Sequence, residues 1–195
     1  MANSVTKERI LRPEVLVLLS GGLDSSACLR FYKQMGRQPC ALFVDYGQAA
    51  AIDEEQAANA IAAHFDIQLH ITKWRGVRSK STGNIIARNA FLLFAALMES
   101  PPEIAIVAIG VHDGTEYADC SATFIERMQF VYDLYTEGTV QVAAPFVNWS
   151  KSEVFAYAKA NDLPVDLTYS CEAGGVPRCG ICLSCKDWEA LAGNA

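Results

Sequence analysis

Five short apolar runs, each separated from the next by a helical pattern, constrain this chain most. Residues 15–19, 41–44, 67–72, 104–109 and 140–143 are nearly continuous in β-forming apolar side chains, which predicts strands covered on both faces. Between them, Cys28, Phe31, Tyr32 and Met35 recur at i, i+3, i+4, i+7, and Phe124, Met128, Val131 and Tyr135 at i, i+4, i+7, i+11, the spacing of one helical face. Gly36 is placed to stop the first of these helices. Residues 53–65 put Ala57, Ala58, Ile61, Ala62 and Phe65 on one side, and residues 89–99 are apolar nearly all round, predicting a central, buried helix. Pro101 and Pro102 end it. Ser150-Lys151-Ser152-Glu153 has the form of a capping box that starts a helix through about residue 160. This alternation implies an α/β fold: a doubly wound, Rossmann-like, parallel five-stranded sheet with right-handed crossovers over residues 1–168. A small cysteine-rich tail follows over residues 169–195.

Composition excludes several function classes. With 51% hydrophobic and 19% charged residues, the chain lies far from the disordered corner. Its longest apolar run is nine residues, 90–98, against the roughly 18 to 20 that a membrane-spanning helix needs. The 22 acidic residues exceed the 16 Lys and Arg, a net charge of −6, which argues against binding nucleic acid mainly by counter-ion release. The apolar run after Lys7, Arg9 and Arg12 is too short for a secretory core and leads into Ser-Gly-Gly rather than a cleavage site. A cytoplasmic location is expected.

The first strand opens into Ser20-Gly21-Gly22-Leu23-Asp24-Ser25-Ser26, at the carboxyl end of a strand and the start of a helix, where open α/β sheets bind ligands and helix amides attract anions. Glycines at 21 and 22 allow close approach of phosphate oxygens, and Ser20, Ser25 and Ser26 add hydroxyl donors. Asp24 can cap the helix or help to hold Mg²⁺. No lysine ends the loop, so the γ-phosphoryl chemistry of Walker loops is disfavoured. The loop resembles the pyrophosphate loop of the N-type ATP pyrophosphatases. That resemblance implies an ATP site at Leu19, Ser20, Gly21, Gly22, Leu23, Asp24, Ser25, Ser26, Asp45, Tyr46 and Gly110. It also implies that pyrophosphate is the leaving group.

Four of the seven cysteines, Cys171, Cys179, Cys182 and Cys185, fall within fifteen residues. Four thiolates close a tetrahedral shell, so the favoured reading is a structural Zn²⁺ that folds a tail too small for its own core. An iron–sulfur cluster is the rival reading, and free thiols the third. Arg178 and Lys186 are placed to offset the charge of the site.

With both motifs placed, the chain resembles the 7-cyano-7-deazaguanine synthase, or QueC, family of queuosine-precursor enzymes. The resemblance rests on Asp45-Tyr46-Gly47-Gln48, Arg88-Asn89, Gly110-Val111, Tyr117-Ala118-Asp119-Cys120, Trp149-Ser150-Lys151 and the four cysteines. It implies that ATP activates the carboxylate of 7-carboxy-7-deazaguanine, that ammonia displaces AMP, and that the amide is converted to the nitrile. Arg88, Lys151 and Asp24 are the expected catalytic residues. Arg88, Asn89, Asp113, Tyr117 and Asp119 are the expected substrate contacts, with Asp113 or Asp119 accepting from the purine-like N1–H and amino group. Cys120 reads as a packed thiol, and His112 stands beside the site without an assigned role. A homodimer is expected.

Two departures from the family pattern bear on the product. Ala49-Ala50 stand where the family usually has Arg-His, and the segment from Trp74 to Ala87 is shorter, with Ala87 in place of the glycine of Gly-Arg-Asn. A more open pocket would suit a reaction that stops at the amide or joins the carboxylate to an amine of a partner protein. Readings of another class are a non-catalytic zinc-containing binding module and, within the superfamily, a tRNA-thiolating enzyme with iron at the cysteines.

Overall fold

The computed structural model describes residues 14–75, 85–115 and 117–192. Five parallel strands, β1 (Val15–Leu18), β2 (Pro39–Asp45), β3 (Leu69–Lys73), β4 (Ile106–Ile109) and β5 (Gln141–Ala143), form one sheet in the order β3-β2-β1-β4-β5. The helices are α1 (Leu23–Gln34), α2 (Ala51–His64), α3 (Arg88–Glu99), α4 (Ala122–Thr136), α5 (Lys151–Ala160) and α6 (Leu183–Ala192). The strand order reverses between β1 and β4, so the chain leaves these two neighbours in opposite directions and opens a crevice at their carboxyl ends.

The two faces of the sheet bury different cores. Val15, Val17 and Phe43 point to one side and pack with Ala27, Cys28 and Leu29 of α1, Ala58 and Ile61 of α2, and Val154 and Phe155 of α5. Leu16, Leu42 and Val107 point to the other and meet Leu93 and Ala96 of α3 and Met128 and Tyr132 of α4. Tyr132 Oη donates to the Leu93 carbonyl at 2.6 Å, so the phenol at the centre of that layer is satisfied.

Two sequence expectations change. The third strand was expected to be covered on both faces, but β3 lies at the sheet edge, and Ile71 is 40% exposed. Helix α3 was expected to be central and buried, yet it covers the sheet with one side only and leaves Met98 71% exposed. Apolarity all round a helix can mark a face that no element of the same chain covers. The predicted capping box is present: Ser150 Oγ accepts from Glu153 N, and Glu153 Oε2 accepts from Ser150 N at 2.7 Å. Helix α6, which carries no strong periodicity, had no counterpart in the sequence reading.

Candidate active site

A pocket opens at the β1/β4 reversal. The loop after β1 contributes Leu19, Ser20, Gly22, Leu23, Asp24 and Ser25; the end of β4 and the loop after it contribute Gly110, His112 and Tyr117; Tyr46, Arg88, Asn89 and Lys151 complete the expected residues that line it. Gly21, Ser26, Asp45, Asp113 and Asp119 lie outside the lining.

The loop is held by its own hydroxyls. Ser20 Oγ and Ser25 Oγ are 3.1 Å apart, Ser25 Oγ donates to the Gly22 carbonyl at 3.0 Å, and Gly22 N donates to Ser20 Oγ at 3.4 Å. Helix α1 has no side-chain cap, so its first-turn amides point outward as an anion site. The two glycines do different work. Gly21 has φ +79, and a Cβ there would meet Ala58 N at 2.6 Å and Ala57 Cβ at 2.7 Å, so this glycine serves the packing of the loop against α2 rather than the ligand. A Cβ on Gly22 would meet nothing nearer than 3.5 Å, and this is the glycine that faces the pocket. Gly110 lets β4 approach α1: a Cβ there would lie 2.6 Å from the Asp24 carbonyl oxygen. Ser26 Oγ is buried with no partner among the described residues.

Asp24 does not cap α1. Its carboxylate takes Lys151 Nζ on both oxygens, at 2.7 and 2.6 Å, and His112 Nε2 stands 3.8 Å from Oδ2. The His112 Nδ1 is 2.5 Å from the Asp113 carbonyl oxygen, which can only accept, so that nitrogen carries the proton. The Asp113 carboxylate accepts from Gly114 N at 2.8 Å, forming a local Asp-Gly turn. Asp119 holds the start of α3: its Oδ2 accepts from Asn89 N at 3.1 Å, and its carbonyl accepts from Asn89 Nδ2 at 2.9 Å. The Asn89 amide also reaches Cys120 Sγ at 3.6 Å. Burial pushes the Cys120 thiol up from its ordinary range, which suits a packed thiol rather than a nucleophile.

The second wall joins Tyr46, Arg88, Gln48 and Glu54. Burial pushes the Tyr46 phenol up, against the pull of the neighbouring Arg88 guanidinium. Asp45 lies just outside, accepting from Gly47 N at 2.9 Å and facing Lys73 at 3.6 Å. Glu54 was missed by sequence reasoning, since a glutamate in the first turn of a helix ordinarily reads as a favourable dipole partner.

The four cysteine sulfurs lie within 4.8 Å of one another. Cys179 and Cys185 Sγ are 3.8 Å apart, matching the edge of about 3.8 Å that a tetrahedron with Zn–S bonds of about 2.3 Å requires. Backbone amides of Ile181 and Cys182 turned towards Cys179 Sγ draw its thiol down to about 6, whereas burial pushes Cys185 up to about 12. The donor set fits one soft metal ion. Arg178, expected as a counter-charge to the sulfurs, engages other partners: its guanidinium stacks 4.4 Å above the Trp188 ring and donates to the Thr168 carbonyl at 3.0 Å.

The tail is part of the pocket. Tyr169 N donates to the Gly21 carbonyl at 3.0 Å, Gly175 N donates to Asp53 Oδ2 at 2.7 Å, and Ser170, Glu172, Ser184 and Asp187 line the pocket. Cysteine spacing carried no sign of this, because docking depends on contacts with α2 and the loop after β1. No helix among the described residues is long and apolar enough to cross a membrane.

Comparison with known proteins agrees with this geometry. The sequence is similar to the 7-cyano-7-deazaguanine synthase of Acetivibrio thermocellus, 31% identical over 87% of this chain and 88% of that protein. It is also 32% identical to the 7-cyano-7-deazaguanine synthase of Nostoc punctiforme, over 89% and 92%. Among solved structures, a predicted subunit of tRNA methyltransferase from Methanocaldococcus jannaschii shares the fold, with a TM-score of 0.51 at 15% identity over 76% of this chain and 75% of that one. The family described as Queuosine biosynthesis protein QueC matches residues 14–82 and 81–191. A glycine- and serine-rich loop at the β1/β4 reversal and a four-cysteine tail beside its pocket thus occur in a chain matched across nearly its whole length, and the chain belongs to the QueC family.

Proposed function

We propose that this protein is an ATP-dependent carbon–nitrogen ligase that converts 7-carboxy-7-deazaguanine to 7-cyano-7-deazaguanine with ammonia. The observation that carries the reading is the convergence of the Ser20 to Ser25 loop, Arg88 and Lys151 on one pocket in a member of this family. ATP, entering with Mg²⁺, lays its β- and γ-phosphates on the loop and the α1 amides, which hold pyrophosphate as it leaves. The substrate carboxylate attacks the α-phosphorus. A P–O bond to the acid forms, the bond to pyrophosphate breaks, and an acyl-adenylate results. Ammonia attacks the acyl carbon, AMP departs, and the nitrogen loses a proton to leave the amide. In a second step the amide oxygen attacks the α-phosphorus of another ATP and pyrophosphate leaves; the C–O bond then breaks, the oxygen departs on AMP, and the nitrogen loses its two protons to give the nitrile. Arg88 and Lys151 offset the developing phosphate charge. The four cysteines would hold Zn²⁺ as a structural ion, fixing the tail that lines one side of the pocket, and a four-thiolate shell would offer substrate no coordination position.

The test is exchange of labelled pyrophosphate into ATP, expected only when the deazaguanine carboxylate is present. Release of ADP and phosphate alone would overturn the reading. Mass spectrometry with ammonium then separates nitrile from amide or from a conjugate on a protein amine. Residues 76–84 of the shortened segment, on which the amide-forming alternative leans, lie outside the described residues. A homodimer belongs to the same proposal: Phe94, Met98 and Tyr135 line an apolar groove between α3 and α4, and sedimentation at equilibrium is expected to give twice the chain mass.

A further inference from the structure

A pocket suited to phosphate and carboxylate has little use for a further acid, yet the part-buried Glu54 lines this one beside Tyr46, Gln48 and Arg88. It stands in the first turn of α2. Removal from water pushes its carboxyl above the ordinary range; Gln48 and Arg88 oppose that shift, and Asp53 and Asp45 add to it.

Gln48 determines what Glu54 can do. The Gln48 Oε1 accepts from Tyr46 N at 3.0 Å, while its Nε2 reaches the Val44 carbonyl at 3.3 Å and Glu54 Oε2 at 2.8 Å. With both ends of the amide committed, Gln48 shows Glu54 a donor and never an oxygen, so Glu54 is held as an acceptor. No other hydrogen bond reaches this carboxylate among the described residues. Of the other acids that line the pocket, Asp187 belongs to α6 of the cysteine tail, away from the Tyr46–Arg88 wall, and the rest are engaged. Asp24 takes Lys151, Glu172 Oε1 accepts from Ser184 Oγ at 3.0 Å, and Asp113 and Asp119 serve their own turn and helix start outside the lining.

We propose that Glu54 is the specificity-determining acceptor for the 2-amino-6-oxo edge of the substrate, taking its N1–H and a 2-amino N–H on one carboxylate. This inference rests on the function proposed above. A guanine-type edge offers two adjacent donors, and a carboxylate offers only acceptors, so the match is bidentate. An adenine edge offers one donor beside an acceptor nitrogen, whose lone pair a carboxylate repels. Glu54 therefore selects the ring of the deazaguanine and not that of ATP. Two N–H donors also replace the water that burial removed, which restores the charged form on binding. Gln48 and Arg88 act as positioning residues for this acceptor, the first by direct hydrogen bond and the second by its charge.

Calorimetric binding decides the matter with three probes: 7-carboxy-7-deazaguanine, the same compound without its 2-amino group, and Mg-ATP. The wild-type protein is expected to favour the amino compound by at least about tenfold. Glu54→Gln, which keeps size but has one acceptor, is expected to bind the two deazapurines about equally while Mg-ATP binding is unchanged. Glu54→Asp keeps the charge and withdraws the carboxylate by one methylene, and it too is expected to lose the preference; it decides the question if the Gln variant does not fold. A preference retained in the folded variants overturns the inference, as does a parallel loss of Mg-ATP binding. Wild-type pyrophosphate exchange without a Glu54-dependent preference overturns the inference alone. A wild-type protein that binds neither deazapurine overturns both the inference and the proposed function.

Discussion

Lys151 and Asp24 share a two-point ion pair, Nζ to Oδ1 at 2.7 Å and to Oδ2 at 2.6 Å, across a sequence separation of 127. Each stands in the first turn of its helix, so the pair locks the start of α5 against the start of α1 beside the loop after β1. Both side chains are about one quarter exposed, which limits the contribution of the pair to stability. Its larger effect is on charge. Lysine neutralises an aspartate that would otherwise stand uncompensated in the pocket lining.

Lys151→Ala is therefore expected to lower the rate of pyrophosphate exchange by about 100-fold or more, the scale of losing one charged donor at a transition state. Its unfolding free energy should change by about 1 kcal/mol or less. Exchange assays beside urea unfolding check both halves, and a variant with normal exchange excludes the assigned role.

The two loop glycines should separate stability from binding. Gly21→Ala puts a Cβ 2.6 Å from Ala58 N at a left-handed φ of +79, and a loss of about 2 kcal/mol or more in stability is expected. Gly22→Ala meets only ordinary contacts, so it should fold normally and weaken ATP binding. Thermal unfolding and nucleotide titration of the pair read the contrast directly.

Ala87 adopts φ +63 and ψ +18 just before α3, a conformation that disfavours any residue with a Cβ. It stands where the family pattern has glycine. Ala87→Gly should stabilise the protein by about 0.5 to 1 kcal/mol, the relief of strain exceeding the entropy that glycine adds to the unfolded chain. A denaturation midpoint that falls in the variant contradicts this account.

Removing the metal should act on the pocket as well as on the tail. Cys171→Ser, at a buried ligand, is expected to cost several kcal/mol, since structural metal binding is folding free energy. Because Tyr169, Glu172, Ser184 and Asp187 line the pocket, chelation should also weaken ATP binding. Elemental analysis is expected to give about one zinc per chain in a colourless protein; brown, iron-containing protein would restore the iron–sulfur reading.

Glu54 also predicts a pH dependence. Its carboxyl is raised in the folded state by burial, so it holds its proton more tightly when folded. The stability it contributes is present below the ordinary carboxyl range and is lost as pH rises through the folded value. Glu54→Gln removes this slope. The stability of the variant relative to wild type should therefore increase as pH rises from below the ordinary carboxyl range towards neutrality, which urea unfolding at both ends of that span measures. Arg88, Asp53, Asp45 and Tyr46 are the charged or titratable groups that act on or face this carboxyl, and all are common to both proteins.

Periodicity was sufficient for the layered fold, because a parallel strand buried between helices must be apolar along its length and a helix on a sheet must be apolar on one side. The same reasoning located the capping box at Ser150 and the loop at Ser20 to Ser26, both of which depend on residues close in sequence. It misjudged β3 and α3, since the pattern of a strand does not say whether it lies at an edge, nor that of a helix which neighbours cover it.

By itself, the sequence determined what is local: strand and helix periods, the glycines and hydroxyls of one loop, and four thiolates at metal-binding spacing. Only the tertiary structure decided which distant groups share the pocket. It paired Lys151 with Asp24, turned Asp113 and Asp119 to internal hydrogen bonds, brought Glu54 into the wall, and laid the cysteine tail against Gly21 and Asp53. The physical reason is that a carboxylate acts through whatever charge or donor lies within a few ångströms of it, and sheet order, which no short window of sequence contains, sets those distances.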